Sequence, residues 1–333
     1  MVRPVHANPV PGARGCGRAG RPPRRARWHV AVQTAAMPSW QSTVVNAYLR
    51  LGGKGSLRSA EAMRAHVRRR SRRPAPHSPP RSLRRSVRVS RHAEAGWPVY
   101  EVLPRRGAVA RHVLYLHGGA YVNQLVRWHW YLLRELSTSV PARCVVPVYP
   151  LAPRGTAAEV VPAVAALLER MVAEHGAEQV VLAGDSAGGG MALAVAGHLR
   201  DTGRAQPGRI VLIAPWVDVS MSNPELAALE PRDPMLARAG SAEAGRMYAG
   251  ELGPAHPWVS PLFGRCAGLA PLTVVVGTRD LVHPDTELFV ERARAEGVDV
   301  DLHVGEGLIH VYPLLPTPEG RAARRQLVAT CRR

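Results

Sequence analysis

The chain has 333 residues, 46% of them hydrophobic, which is enough for a full globular core. No apolar run reaches the roughly 18 residues of a membrane span, so a transmembrane segment is not expected. The formal charge of +19 is uneven: residues 1–111 hold 24 Lys and Arg against 3 acids, whereas residues 112–333 hold 20 against 22. The globular part is therefore close to neutral, which argues against a nucleic-acid partner for the chain as a whole.

Residues 1–36 carry seven Arg, no acid and no hydrophobic periodicity, and read as a disordered basic leader. Whether this leader is native stays open, with Met37 as an alternative start. A twin-arginine export signal at Arg24-Arg25 is disfavoured because the following HVAVQTAAM is short and interrupted by Gln33. Trp40, Val44, Tyr48 and Leu51 then fall on one face of a helix over 39–51, with Ser39 as N-cap and Gly52-Gly53 as stop. A second helix is expected over Ala60–Arg70. It leads into the Arg/Pro-rich stretch 68–85, read as a solvated linker, with contact to an anionic surface or a nucleic acid as the rival reading.

From residue 85 the pattern changes. SVRVSRH and WPVYEVL flank Ala95-Gly96 as an antiparallel hairpin. Strands are expected at 112–119, 142–150, 179–186, 209–216, 271–280 and 298–304. Helices are expected around 128–139, over Ala158–Glu174, from Ala187, over Thr286–Ala295 and over Glu319–Cys331. Such alternation implies an α/β fold with a mostly parallel central sheet and helices on both faces. Residues 221–256 break the rhythm and read as an insertion over the C-terminal edge of the sheet, a candidate lid. The expected organisation is a leader over 1–36, N-terminal cap helices and linker over 37–84, and an α/β domain over 85–333 that carries this insertion. Four scattered cysteines, Cys16, Cys144, Cys266 and Cys331, with no CxxC, read as reduced thiols and suggest the cytoplasm.

The stretch Gly184-Asp185-Ser186-Ala187-Gly188 sits between an expected strand and an expected helix, the setting of a nucleophile elbow. A serine hydroxyl near neutral pH needs a base, and the base needs a carboxylate to orient it. Asp280 and His310 both follow strands at the edge that carries Ser186, in the chain order Ser, Asp, His. The competitors fit less well: Asp285 is expected to cap the following helix, His283 lies too close to Asp280, and His303 falls inside the last strand. His117-Gly118-Gly119 follows another strand. Its glycine amides, with that of Ala187, are the expected oxyanion hole: Gly118, Gly119 and Ala187. His117 itself is read as structural.

Taken together, HGGAY (117–121), YPLAP (149–153), GDSAGG (184–189), PWVDVS (215–220), GTRDLVHPD (277–285) and GLIHVY (307–312) resemble the hormone-sensitive-lipase family of α/β-hydrolases, bacterial esterase branch, over roughly residues 97–315. The resemblance implies an α/β-hydrolase fold with a helical cap, and carboxylic-ester hydrolysis through an acyl-enzyme without cofactor or metal. A small-molecule ester is the implied substrate, of short to medium acyl chain, an acetyl ester included. A non-catalytic receptor on the same fold, and lactone or amide hydrolysis, are the alternatives. The oligomeric state stays open, a homodimer included. The sequence departs from the family pattern at Ala120, Arg154, Gly190 and Val311-Tyr312, positions that bear on acyl-chain preference.

Overall fold

Apolar strands that alternate with helices can hide both their faces only when the strands join edge to edge between two helical layers. The computed structural model, which describes residues 30–33, 38–52 and 54–332, has that arrangement. In chain order the first elements are β1 (Val30–Gln33), α1 (Trp40–Leu51), α2 (Ala60–Arg72), β2 (Val87–Glu94) and β3 (Trp97–Pro104). Next come β4 (Arg111–Leu116), α3 (Arg127–Ser139), β5 (Ala142–Pro147), α4 (Ala157–His175), β6 (Val180–Asp185) and α5 (Ala187–Asp201). The chain continues through β7 (Arg209–Ile213), α6 (Leu226–Leu229), α7 (Arg238–Ala249), β8 (Leu272–Gly277), α8 (His283–Ala295), β9 (Val300–Gly305) and α9 (Pro318–Arg332).

Among the described residues the strands form one sheet in the order β1-β9-β8-β7-β6-β4-β5-β3-β2. Pairing is antiparallel for β2 with β3 and for β3 with β5, and parallel elsewhere. Side chains alternate across the pleat. In β4, Leu114 and Leu116 therefore join the core under α4, α5 and α8, while Val113 and Tyr115 join the core under α3 and α9. This two-sided burial is why β6 and β8 read as unbroken apolar runs rather than as alternating ones.

Three readings are changed or completed by the structure. Val30–Gln33 lies within the stretch expected to be disordered, yet its backbone pairs in parallel with β9 as an edge strand. Residues 1–29 and 34–37, with Cys16, lie outside the described residues. Second, the apolar face of α1 points outward. Trp40, Tyr48 and Leu51 are 72%, 75% and 88% exposed, whereas Ser42 and Asn46 on the opposite face are buried. Third, α8 begins at His283, so Asp285 lies inside its first turn and does not cap it. Cys144, Cys266 and Cys331 are free and buried.

The insertion at 221–256 holds α6 and α7, and α2 packs against α7. The contact is close. A side chain at Gly240 would overlap the Leu57 carbonyl, and Arg64 of α2 reaches Glu243 of α7 at 3.2 Å.

Candidate active site

Ser186 is the single residue between β6 and α5, and it pays for that position in backbone strain: φ is +52° and ψ −121°. Its N–H donates to the Ile213 carbonyl at 2.8 Å, and its own carbonyl accepts from the Trp216 amide at 2.9 Å. The turn leaves no room on either side. A Cβ at Gly184 would overlap the Gly188 carbonyl, and one at Gly188 would overlap the Leu116 carbonyl of β4. The two glycines flanking the serine are thus steric requirements of packing helix against strand.

Asp280 and His310 lie 30 residues apart, on the loops that follow the neighbouring strands β8 and β9. Those loops are laced together. The Thr278 amide donates to Gly305 O at 3.0 Å, the Arg279 amide to Leu308 O at 2.9 Å, and the Gly307 amide to Thr278 Oγ1 at 2.8 Å. His310 Nδ1 lies 2.9 Å from both Asp280 oxygens, and Nε2 lies 2.8 Å from Ser186 Oγ. A carboxylate only accepts, so Nδ1 carries the proton and the Nε2 lone pair faces the hydroxyl. Asp280 is fully buried and His310 nearly so. Burial pulls the imidazole pKa down, but the charge of Asp280 and its hydrogen bond outweigh this, and the net shift is upward from 6.5.

The structure does not bring the competitors to Ser186. His283 pairs with Glu287 on α8, and His303 pairs with Asp301 on β9. His117 is fully buried, stacked on Tyr149, with its pKa lowered by burial to about 4.

Of the three expected oxyanion donors, Gly118 is already used. Its amide donates to Asp185 Oδ1 at 2.9 Å, and a Cβ there would overlap the other carboxylate oxygen. Gly118 is therefore withdrawn as a donor, because the carboxylate beneath it claims its N–H. The amides of Gly119, Ala120 and Ala187 have no acceptor among the described residues. Gly119 at φ +131° and Ala120 at φ +52° supply the reversed backbone that turns such amides outward.

Sequence reasoning passed over the support beneath this loop. Asp185, buried directly before Ser186, also accepts from Tyr115 Oη at 2.7 Å and faces His129 Nε2 at 3.3 Å. His129 Nδ1 accepts the Val126 amide, so Nε2 carries the proton toward Asp185. Burial would raise the Asp185 pKa, but His129, Tyr115 and the Gly118 amide together hold it below 3.8. The only hint in the sequence was the acid inside the Gly-Asp-Ser-Ala-Gly motif. A second overlooked contact comes from the insertion: Asp233, 1% exposed, accepts the Leu281 amide at 2.7 Å, immediately after Asp280. A third comes from α2, where His66 Nε2 meets Asn123 Oδ1 at 2.7 Å and Asn123 Nδ2 donates to Gly119 O at 3.2 Å. Behind that loop lies a cavity of about 250 Å³, lined in part by Val67, Arg70, Asn123, Leu151 and Arg154. The serine, the imidazole and Asp280 do not line it.

Comparison with known proteins bears on family and fold. Residues 113–314 match the family model described as alpha/beta hydrolase fold. The chain belongs to this family, in the group that resembles hormone-sensitive lipase. It is 31% identical over 253 residues to a Mycobacterium tuberculosis protein with the provisional name acetyl-hydrolase LipR, covering 74% of this chain and 81% of that one. It is 34% identical over 239 residues to an acetyl-hydrolase of Streptomyces hygroscopicus, covering 70% and 77% of the two chains. Among solved structures, an esterase from the bacterial hormone-sensitive lipase family superposes with a TM-score of 0.74 at 27% identity, covering 89% of this chain and 99% of that one.

Proposed function

We propose that this carboxylic-ester hydrolase uses Ser186, His310 and Asp280 as its nucleophile, base and orienting acid, on short- to medium-chain acyl esters. The observation that carries the reading is the unbroken line from Ser186 Oγ through His310 to Asp280, with both links at hydrogen-bond distance. In the proposed sequence Ser186 Oγ attacks the ester carbonyl carbon while its proton passes to His310 Nε2. The carbonyl oxygen becomes an oxyanion facing the Gly119, Ala120 and Ala187 amides, each such donor being worth about 3 kcal/mol to the transition state. Collapse expels the alcohol, which takes the proton back from His310, and leaves an acyl-serine. Water, deprotonated by His310, releases the acid and restores the hydroxyl.

A short acyl group is supported by the packing around the elbow. Tyr121 stacks face to face on Tyr248 of α7 at 3.6 Å between ring centroids, and Trp216 lies 5.7 Å from Tyr121. The Tyr121 hydroxyl comes within 3.1 Å of the place a side chain would take at Gly190, four residues after Ser186. On this reading the rings close off the space a longer chain would need. The names of the acetyl-hydrolase relatives point the same way, toward an acetyl ester of a small molecule. We assign α1, α2 and the 221–256 insertion to a cap over this site, supported by the contacts that Asp233 and His66 make to its loops and by Arg50 of α1, which reaches the Arg232 carbonyl of the insertion. The free buried thiols support a reducing compartment such as the cytoplasm. The test is hydrolysis of p-nitrophenyl acetate, butyrate and octanoate. The parent should favour the first two, and Ser186→Ala should lower kcat at least about 10³-fold. A Ser186→Ala protein as fast as the parent would refute the assignment.

A further inference from the structure

An amphipathic helix normally turns its apolar face toward the core; α1 does the reverse. Its polar side is the one that is held. Ser39 Oγ and Ser42 Oγ each donate to Glu319 of α9 at 2.9 Å, and Asn46 is buried. Just past the helix, Lys54 Nζ donates to the Glu230 carbonyl at 2.6 Å. Trp40, Val44, Tyr48 and Leu51 are left as an outward stripe, 57% to 88% exposed. Core packing does not account for four large apolar side chains aligned along solvent. Scattered exposed hydrophobics are ordinary, but an aligned set of this kind marks a contact surface.

The surroundings of the stripe identify its partner. Four cations gather at the stripe's C-terminal end, Arg50, Lys54, Arg232 and Arg279, linked through the Glu230 and Arg232 carbonyls. A second copy placed on this face would set two strongly basic surfaces against each other. The stripe is also small, roughly 600 Å² against the ~800 Å² per partner of a stable protein interface. Nucleic acid would suit the charge and could stack on Trp40 and Tyr48, but it leaves the aliphatic Val44 and Leu51 of the same stripe without a partner. An anionic lipid surface suits both features. Trp and Tyr settle at the headgroup level, aliphatic side chains enter the acyl boundary, and flanking Arg and Lys meet the lipid phosphates. The helix also lies at the catalytic edge of the sheet. Arg50 of α1 and Arg279, the residue before Asp280, both reach the Arg232 carbonyl.

We propose that the outward face of α1 is a docking surface for an anionic lipid bilayer, on which the enzyme lies peripherally with the active-site edge near the membrane. The inference stands independently of which ester is cleaved. It is tested by co-sedimentation of the full chain with vesicles of phosphatidylcholine containing phosphatidylglycerol, and with vesicles of phosphatidylcholine alone. The comparison protein carries Trp40→Ser, Val44→Ser, Tyr48→Ser and Leu51→Ser together. Circular dichroism and a melting temperature matching the parent's establish that it is folded. The parent should sediment with the anionic vesicles and less with the neutral ones, and raised salt should weaken the binding. The fourfold variant should bind at least about tenfold more weakly. Equal binding by parent and variant would overturn the proposal, since the basic chain alone would then account for it. Failure of the parent to bind, or a variant that elutes as a smaller oligomer than the parent, would overturn it as well.

Discussion

At the scale of single residues, the site is organised by buried carboxylates each of whose oxygens holds at least one partner. Asp280 spends both oxygens on His310 and lends one of them to the Val282 amide at 3.1 Å. This holds the imidazole in the tautomer that can accept the serine proton and raises its pKa above 6.5. In the proposed mechanism His310 is the base and works only when neutral, so kcat/KM should rise with pH through that elevated value. Asp280→Asn keeps the shape but removes the charge and can present an amide N–H to the ring. Loss of the preferred tautomer should lower kcat about 10⁴-fold. The remaining activity should show its acid limb at lower pH than the parent, because burial then acts on His310 without Asp280 to oppose it. A pH–rate profile of both proteins on p-nitrophenyl butyrate checks this, and an unmoved acid limb would contradict it. Asp185 has a different task. It takes the Gly118 amide out of use and so, in the proposed mechanism, leaves the oxyanion to the neighbouring amides.

At the scale of elements, the insertion is tied to the acid loop through Asp233 and through Arg279, whose guanidinium reaches the Arg232 carbonyl. Asp233 accepts the Met235 amide at 2.6 Å, the Leu236 amide at 2.9 Å and, across the fold, the Leu281 amide at 2.7 Å. Burial and the nearby Asp280 raise its pKa above 3.8. Asp233→Ala would strand three amide donors, each buried donor costing about 1–3 kcal/mol when unpaired. The loss falls on the insertion and on the loop that holds Asp280, while the sheet keeps its own ladder. The expected result is a kcat about tenfold lower, with faster hydrogen exchange in residues 221–256 and 278–284 and little change in β4 or β6. Uniformly faster exchange across the sheet would instead make Asp233 a general stability residue. The same scale shows what was legible in the sequence. The β4-to-β9 rhythm and the hairpin could be read because strands buried on both faces leave apolar runs bounded by turns. The elbow could be read because glycine alone fits where α5 crosses β4. Asp233, His66 and Asp185 could not be read, since each acts across the fold on a backbone group or amide that carries no mark in the sequence. The orientation of α1 escaped for a related reason: periodicity defines an apolar face but not the direction in which tertiary contacts turn it.

At the scale of the whole molecule, one buried acid makes stability depend on pH. Asp285 is 2% exposed, in the first turn of α8. Its Oδ1 accepts from Asn223 at 2.7 Å, and its Oδ2 has no partner among the described residues. Burial, reinforced by the nearby Asp218 and Glu225 carboxylates, raises its pKa from 3.8 to about 6. Between those two values the folded protein binds a proton that the unfolded chain has released, so this group's contribution to stability falls as pH rises. Below the unfolded value both states are protonated and the group is neutral in its effect. Above about 6 the full cost of burying the charge is present. Asp285→Asn removes the ionisation and keeps a similar shape, with its own amide free to fill the place of the unpartnered oxygen. The variant should melt at least about 2 °C higher than the parent at pH 8, and the two melting temperatures should converge toward pH 4. Differential scanning calorimetry across that range checks the sign. A variant less stable at pH 8 than at pH 4, relative to the parent, would mean that the ionised carboxylate is stabilised by contacts stronger than the single amide of Asn223.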